Sequence, residues 1–198
     1  MKIATWNVNS VKARLDTVRT WLAQAAPDIV GFQEIKTTDD QFPADAFEGL
    51  GYNAVVHGQK SYNGVALLSK RPPEDVIKGL PENDGDDPAR YIEAIVPTDS
   101  GIVRVISIYA PNGNPPGSER FQYKLAWLDR LERHIKRLLA LEEPLFVMGD
   151  YNVIPGVEDC HDPKAWAGDA LFQPESRAAM SAESYMRGHP LKKGEILG

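Results

Sequence analysis

A short apolar stretch ends in two polar side chains whose spacing could support chemistry. Leu145–Gly149 is apolar, follows Pro144 and leads directly to Asp150 and Asn152. Such a run predicts a buried strand, and because side chains alternate along a strand, we expect Asp150 and Asn152 to point the same way. Polar groups at the carboxyl end of a buried strand often form sites. A plain turn is the competing interpretation, since Gly, Asp and Asn also favour turns.

Three other apolar segments end in polar side chains in the same manner. They end at Trp6-Asn7, at Gln33-Glu34 and at Tyr109–Asn112. If these strands are neighbours, their ends form one cleft that holds two acids, three amides and a tyrosine. Hard cations such as Mg²⁺ prefer a few carboxylate oxygens together with water and substrate phosphates. The pattern therefore favours metal-assisted phosphoryl transfer over acyl transfer.

Motifs typical of other chemistries are absent from the sequence. It contains no Gly-x-Ser-x-Gly elbow, which marks many acyl-transfer enzymes. It also contains no Walker loop, no Cys/His zinc cluster and no dinucleotide fingerprint. The strand-end cleft remains the main candidate for a site.

The elements that would position this cleft begin with a strand–helix–strand unit. Apolar spacing predicts strands over Lys2–Val8 and Asp28–Glu34 around a helix over Val11–Ala26 that Asn9 and Ser10 could cap. A long helix is predicted after Ser118, and Arg71–Arg90 is predicted to be a polar loop. A short helix and four further strands are predicted in between, at Asp39–Leu50, Tyr52–Val56, Val65–Leu68, Tyr91–Val96 and Ile102–Ile108. Pattern alone therefore indicates an α/β or α+β fold with helices outside sheets.

Composition indicates an ordinary globular protein of 198 residues with a net charge of −6. That charge argues against non-specific nucleic-acid binding, which usually needs a basic surface, but it permits a local metal-assisted site. Cys160 is the single cysteine, so an internal disulfide is excluded. With no signal-type or membrane-spanning stretch in the sequence, we expect a cytoplasmic protein without a membrane partner.

The order of five motifs resembles the exonuclease III family of abasic-site endonucleases, within the endonuclease/exonuclease/phosphatase superfamily. The resemblance extends from residue 1 to about Arg177. It implies a four-layer αββα sandwich, in which two packed β-sheets lie between outer helices. It also implies Mg²⁺, or Mn²⁺, as cofactor and hydrolysis of double-stranded DNA at abasic sites and 3′ ends. The motifs are Thr5–Ser10, Asp28–Lys36, Asn63–Lys70, Tyr109–Asn112 and Met148–Asn152.

The resemblance also implies roles for the residues at the strand ends. Glu34 matches the family's metal-ligand glutamate, and Asn7 matches the residue that orients Glu34 or the metal. Asp150 matches the acid that aligns the nucleophile or protonates the leaving oxygen, with Asn152 as its partner at the phosphate; both count as candidate metal ligands. Tyr109 matches a phenol near the scissile phosphate.

Six residues are predicted to contact the DNA backbone. Asn112 is expected to donate a hydrogen bond to a phosphate oxygen. For the other five, a solvated surface role competes with the DNA contact. They are Lys36, Lys60, Tyr62, Arg90 and Tyr91.

The sequence departs from the family pattern near its end. The family carries a Ser-Asp-His type motif whose histidine orients the attacking water, and this chain has no such motif: its histidines are His57, His134, His161 and His189. We therefore expect a domain over residues 1–180 that lacks the family's C-terminal strands, followed by an unrelated tail over residues 181–198. Low activity is a further expectation, because the chain carries only half of the family's catalytic residues. We also expect marginal stability or association with another chain, because missing strands leave a sheet edge exposed.

Two other functions fit the same residues. The first is a phosphatase or phosphodiesterase of the same superfamily that acts on lipid or inositol phosphates; Lys60–Gly64 and the Arg90-Tyr91 pair favour the nuclease over it. The second is a non-catalytic DNA-binding protein that holds Mg²⁺ and abasic DNA without cutting the strand.

Overall fold

The first sheet contains four strands that combine parallel and antiparallel pairing. The computed structural model describes residues 1–82, 85 and 88–179. In this sheet β1 and β2 are parallel, as the strand–helix–strand unit predicted, and the strand order is β1-β2-β4-β3. The strands are β1 (Ile3–Asn7), β2 (Ile29–Gln33), β3 (Asn53–His57) and β4 (Val65–Ser69).

The second sheet contains the predicted hairpin and the strand that leads to Asp150. Its order is β5-β6-β7-β8, with β6 and β7 antiparallel and β7 and β8 parallel. The strands are β5 (Glu74–Lys78), β6 (Tyr91–Thr98), β7 (Gly101–Tyr109) and β8 (Leu145–Asp150).

Two apolar cores hold the sheets and the first helices together. α1 (Leu15–Ala25) and α2 (Ala44–Glu48) pack on the outer face of the first sheet, where Leu22 and Phe47 contact the core residues around Phe32. The two sheets pack face to face through a second core that includes Leu67 and Val105. The sheets approach closely at Gly31, where an added Cβ would lie 2.9 Å from both Met148 and Ser107.

The described chain forms two compact units. The first comprises Met1–Ala110 and Glu142–Tyr151, and the second comprises Pro111–Leu141 and the chain from Asn152 onward. The second unit contains α3 (Glu119–Leu139), which begins where predicted because the Ser118 side chain accepts a hydrogen bond from the Phe121 amide. It also contains two short helices, α4 (Pro163–Trp166) and α5 (Pro174–Ala178).

The architecture confirms the predicted α/β class of two packed sheets with outer helices. The predicted tail over residues 181–198 lies outside the described residues, so its separation from the domain stays a prediction. Within the part of the chain that the structure describes, no helix has the length and apolar character needed to cross a membrane.

Two local predictions were wrong. Arg71–Arg90 is not entirely loop, because it contains β5, an edge strand whose residues are all exposed and therefore show no apolar alternation. The first helix begins at Leu15 rather than near Val11, and neither Asn9 nor Ser10 caps it. Both residues have a positive φ, and a single turn precedes the helix.

Candidate active site

The ends of four strands converge on one group of polar side chains in the first unit. β1 and β2 are parallel, and so are β7 and β8, so the carboxyl ends of each pair lie at the same sheet edge. The Asn7 amide nitrogen donates to Glu34 Oε1 and to Asp150 Oδ2, at 2.8 Å in each case. The Tyr109 side chain lies close enough to Glu34 and Asp150 for their charges to affect it. The structure thus brings together Asn7, Glu34, Tyr109 and Asp150.

Asn7 links the two sheets through a side chain whose orientation is fixed by the backbone. Its Oδ1 accepts a hydrogen bond from the Asn9 amide at 3.1 Å. Because a backbone N–H can only donate, the acceptor must be the carbonyl oxygen of the Asn7 side chain. Its NH₂ group must then face the two carboxylates. The Asn7 NH₂ group therefore joins one carboxylate from each sheet, Glu34 and Asp150.

Glu34 lies just beyond β2 in the left-handed backbone region, with a φ of 50°. Its Oε2 forms a 2.9 Å ion pair with Lys36, whose ammonium also donates to Asn9 Oδ1 at 2.5 Å. Burial disfavours the charged carboxylate, but the hydrogen bonds from Asn7 and Lys36 and the charge of Lys36 outweigh burial and lower the pKa of Glu34. Glu34 is therefore an anion at neutral pH, as a ligand for a hard cation must be.

Tyr109 ends β7 as a neutral phenol. Burial and the nearby charge of Glu34 raise the pKa of Tyr109 to about 12. The Arg90 guanidinium lies 5.1 Å from the centroid of the Tyr109 ring and donates to the Tyr109 carbonyl at 3.2 Å. Tyr109 is thus a hydrogen-bond donor that Arg90 holds in place.

Asp150 ends β8 directly after a glycine, at a position where no residue with a side chain would fit. Gly149 has a φ of 146°, and an added Cβ would lie 2.1 Å from the Ile108 carbonyl oxygen. Because that atom belongs to the backbone of the neighbouring strand, it cannot move aside. Gly149 therefore allows β8 to lie against β7 up to the point where Asp150 meets Asn7.

The donor set of this group suits Mg²⁺ or Mn²⁺. Glu34 and Asp150 offer carboxylate oxygens next to one amide, and Mg²⁺ sites in proteins commonly use one or two carboxylates plus water and substrate phosphates. Over residues 1–82, 85 and 88–179, no three His, Cys, Asp or Glu side chains cluster as a metal cage. The residues present thus fit an open, oxygen-rich site rather than a closed one.

Two predicted phosphate-contacting amides lie in the second unit. Asn152 lies beyond the end of β8 in the left-handed region, with a φ of 50°, so strand alternation does not set its direction. That Asn152 points the same way as Asp150 stays a prediction. Asn112 is exposed, and its Oδ1 accepts from the backbone and side-chain nitrogens of Asn114 at 3.2 and 2.8 Å. The NH₂ group of Asn112 is therefore directed away from Asn114, as a donor to an anion requires.

The structure places the remaining predicted DNA contacts in different environments. Lys60 and Tyr62 are exposed in the loop between β3 and β4, and the Tyr62 side chain is 72% exposed. Lys36 and Arg90 are half-buried against Glu34 and Tyr109. Tyr91 is a correction: it is 1% exposed and its hydroxyl donates to the buried Glu93, so it cannot contact DNA.

The described histidines have structural contacts or lie in a loop. His57 Nδ1 donates to the Tyr91 carbonyl at 3.1 Å, and His134 is buried on α3. His161 lies in the exposed segment before α4. His189 falls outside the described residues. The sequence assigns no catalytic role to His57, His134 or His161, and their lack of such a role stays a prediction.

Sequence reasoning missed three polar residues, one in the first unit and two in the second. Gln33 is buried between the sheets and donates to Thr5 and Ser107, at 3.0 Å in each case. In the second unit, Asn114 orients Asn112, and Lys124 binds backbone carbonyls. Only Lys124 left a signal in the sequence, because it is a lysine on the apolar face of α3, three residues after Phe121.

Comparison with protein families identifies one match that covers most of the chain. Residues 4–191 match the Endonuclease/Exonuclease/phosphatase family. The matched range extends beyond Arg177, where the resemblance read from the motifs stops. It also includes part of the segment after residue 180.

The chain is also similar to individual proteins that act on DNA. The chain is 34% identical over 186 residues to exodeoxyribonuclease III of Haemophilus influenzae, which covers 90% of this chain and 69% of that protein. An AP endonuclease structure from Archaeoglobus fulgidus is 38% identical with a TM-score of 0.84, over 90% of this chain and 68% of that one. The 3′ phosphatase NExo from Neisseria, bound to a product DNA hairpin, is 37% identical with a TM-score of 0.87, over 95% and 71%.

Proposed function

Because the chain belongs to the exonuclease III/AP endonuclease family of the Endonuclease/Exonuclease/phosphatase superfamily, we propose that it is a metal-dependent DNA-repair nuclease. Its substrate is double-stranded DNA, cut on the 5′ side of abasic sites or at 3′ ends. The similar proteins are described as an exodeoxyribonuclease, an AP endonuclease and a 3′ phosphatase bound to DNA. All three descriptions concern phosphate esters of DNA, and this supports the proposal.

One observation carries the proposal. The Asn7 NH₂ group contacts one carboxylate from each sheet, Glu34 and Asp150. Two carboxylates around one amide, with a neutral phenol beside them, form a negative, oxygen-lined centre for a cation and a phosphate.

The residues of this centre take distinct roles in the proposed hydrolysis. Glu34 and Asp150 would hold the cation, with Asn7 orienting both, and Mg²⁺ bound there would supply charge neutralisation at the phosphate. Asp150 aligns the attacking water or protonates the leaving oxygen. Tyr109 donates to a phosphate oxygen, because its raised pKa of about 12 keeps its proton at neutral pH.

From the family resemblance, Asn112 and Asn152 are proposed to bind a DNA phosphate. The NH₂ group of Asn112 is oriented by the backbone amide of Asn114, which occupies Oδ1. Preorganised donors of this type stabilise charge that develops in a transition state. Lys36, Lys60, Tyr62 and Arg90 remain predicted DNA-backbone contacts, and cytoplasmic location also stays a prediction.

A substrate panel tests the proposal. The purified 198-residue protein is incubated with Mg²⁺ and, separately, with an abasic duplex, an intact duplex, a 3′-phosphate duplex and an inositol phosphate. The proposal predicts cleavage of the abasic duplex and release of the 3′ phosphate, both abolished by EDTA. Preferential hydrolysis of the inositol phosphate would instead identify a phosphatase of the same superfamily, and tight binding of intact abasic duplex without cleavage would identify a DNA-binding protein.

A matched pair of variants excludes contaminating nucleases. Glu34→Gln removes the proposed ligand and is expected to lower cleavage by at least about 10²-fold, since losing one transition-state stabiliser commonly costs that much. Glu48→Gln makes the same change at an exposed position of α2 and should leave cleavage unchanged. Equal cleavage by the Glu34→Gln protein and the wild type would assign the activity to a contaminant or to another site.

A further inference from the structure

A lysine is buried on the apolar face of α3. Lys124 is 0% exposed and lies on the face that also carries the buried Phe121 and Leu128. A buried ammonium is unfavourable unless its donors are satisfied. The contacts of Lys124 therefore indicate why a charged group occupies a position that an apolar residue could fill.

The Lys124 ammonium donates to backbone carbonyls from three separate segments. The acceptors are the carbonyl oxygens of Asn112, Asn152 and Ala170, at 3.1, 2.5 and 3.4 Å. An ammonium can only donate hydrogen bonds, and buried backbone carbonyls are suitable acceptors for it. All of these residues belong to the second unit. One side chain thus joins the loop before α3, the second residue after β8 and the segment before α5.

Two of these carbonyls belong to the residues proposed to bind the phosphate. The local backbone fits the lysine closely, since a Cβ added to Gly113 would lie 2.6 Å from Lys124 Cδ. Ala170 is fixed in turn by Ser176 Oγ, which donates to its carbonyl at 2.7 Å, and by its own amide, which donates to Asn114 Oδ1 at 2.9 Å. The Lys124 ammonium therefore links the backbones of Asn112 and Asn152 to each other.

We propose that Lys124 is a positioning residue that sets the spacing of the Asn112 and Asn152 carboxamides for a DNA phosphate. This inference rests on the proposed function for its consequence, but its structural part can be tested without activity. Lys124 acts through the two backbones and does not itself contact the substrate. Neither the motifs nor the proposed roles of the site residues include it.

Three variants isolate the role of the ammonium. Lys124→Met keeps the length and apolar stem of the side chain but removes its three donors. Lys124→Arg keeps the charge, but its planar guanidinium cannot direct donors as a compact ammonium does. Lys136→Met makes the first change at an exposed position of the same helix, where the lysine pairs with Glu132, and serves as the control.

The first readout is structural. In protein labelled with ¹⁵N-asparagine, the Lys124→Met change is expected to shift the backbone and side-chain signals of Asn112 and Asn152, while Asn53 on β3 stays in place. Lys124→Arg should shift the same signals by a smaller amount, and Lys136→Met should shift none. If the Lys124→Met protein does not fold, the Lys124→Arg protein carries the comparison. Signals of Asn112 and Asn152 that are unchanged in the folded variant would overturn the proposal.

The second readout is kinetic and uses abasic duplex with Mg²⁺. Misplacing the carboxamides is expected to lower kcat/KM by about 10- to 10²-fold per folded molecule, a loss typical of small positional errors. In an Asn112→Ala/Asn152→Ala background, Lys124→Met should then cause little further loss, because residues that act as one unit are non-additive. A purely structural role predicts a lower melting temperature with an unchanged kcat/KM, and that result would overturn the proposal.

The two readouts distinguish failure of this inference from failure of the proposed function. If the wild type neither cuts nor binds abasic DNA, the nuclease proposal fails, and the asparagine spectra alone decide the role of Lys124. If the wild type cuts DNA and Lys124→Met matches it in both readouts, the nuclease proposal stands and the positioning role is rejected.

Discussion

Asn7 determines the electrostatics of the site at the scale of single residues. Its NH₂ group donates to both carboxylates, and a backbone amide fixes its orientation. Without it, Glu34 would lose one of the hydrogen bonds that favour its anion and lower its pKa. The amide therefore helps to keep Glu34 ionised in the absence of a cation.

Replacing Asn7 tests this effect. Asn7→Ala removes a hydrogen bond that favours the Glu34 anion, so the pKa of Glu34 should rise toward or above its ordinary value of 4.5. In the wild type the stabilisation from ionised Glu34 is present above that ordinary value and is lost as the pH falls through the lowered pKa. An NMR titration of the glutamate carboxyl carbons measures the shift, with Asn53→Ala as control. An unchanged Glu34 titration would contradict this account.

Tyr109 offers a second test at this scale. Its pKa of about 12 means that it stays protonated throughout a normal assay range, so it acts as a donor and not as a base. Absorbance of phenolate near pH 10 should therefore be nearly the same for the wild type and Tyr109→Phe, while cleavage by the variant falls by about 10-fold or more, as for loss of one donor to a charged group. A clear loss of phenolate signal in the variant at that pH would show that Tyr109 ionises earlier.

A buried ion-pair network stabilises the second sheet at the scale of elements. Arg104 on β7 binds Glu93 on β6 at 2.6 Å and Glu143 before β8 at 2.8 Å, and Glu93 is fully buried. Burial disfavours the Arg104 cation, but its bonds to Glu143 and Glu93 outweigh this and raise its pKa. The network joins β6, β7 and the segment just before β8, and strands β7 and β8 end at Tyr109 and Asp150.

Breaking this network should destabilise the protein strongly. Arg104→Met leaves the buried Glu93 without its guanidinium partner, and losing one partner of a buried pair typically costs about 3–5 kcal/mol. Arg71→Met breaks an exposed pair with Asp99 and should cost less than about 1 kcal/mol. Urea unfolding of both variants measures the difference. Equal losses of unfolding free energy would show that burial does not set the strength of these pairs.

The strand ends were predictable from the sequence because apolar runs that stop at a carboxylate or amide are a local pattern. Asn7, Glu34, Tyr109 and Asp150 were found in this way, and the structure places them together. What failed depended on tertiary context, because β5 is an exposed edge without alternation. The direction of Asn152 stays a prediction, because that residue lies beyond the end of β8 in the left-handed region.

The sequence also failed to indicate the direction of two side chains, Tyr91 and Lys124. Tyr91 was grouped with its neighbour Arg90, although consecutive residues in extended chain point to opposite sides; Tyr91 is buried with Glu93 while Arg90 stacks on Tyr109. Lys124 was overlooked because a lysine on an apolar face is recognisable only once its acceptors are known. Those acceptors lie 12, 28 and 46 residues away in the sequence.

At the scale of the whole molecule, we expect two features of the sequence to lower the activity. A charge of −6 opposes approach to DNA, and the sequence contains no Ser-Asp-His type motif to orient the attacking water. We therefore expect these 198 residues to cut abasic duplex about 10²–10⁴-fold more slowly than a protein with an oriented general base. Exodeoxyribonuclease III of Haemophilus influenzae, assayed alongside, is the reference. Equal turnover would show that another group of this chain activates the water.

The most direct test of the account is whether a cation binds at the joined strand ends. Sub-stoichiometric Mn²⁺ added to ¹⁵N-labelled protein should broaden the amide signals of Asn7, Glu34, Tyr109 and Asp150 first, and excess Mg²⁺ should restore them. Glu34→Gln should abolish this broadening without shifting signals elsewhere in the sheets. Broadening confined to other acidic segments, or identical broadening in the Glu34→Gln protein, would contradict the assignment of these strand ends as one metal-assisted phosphodiester site.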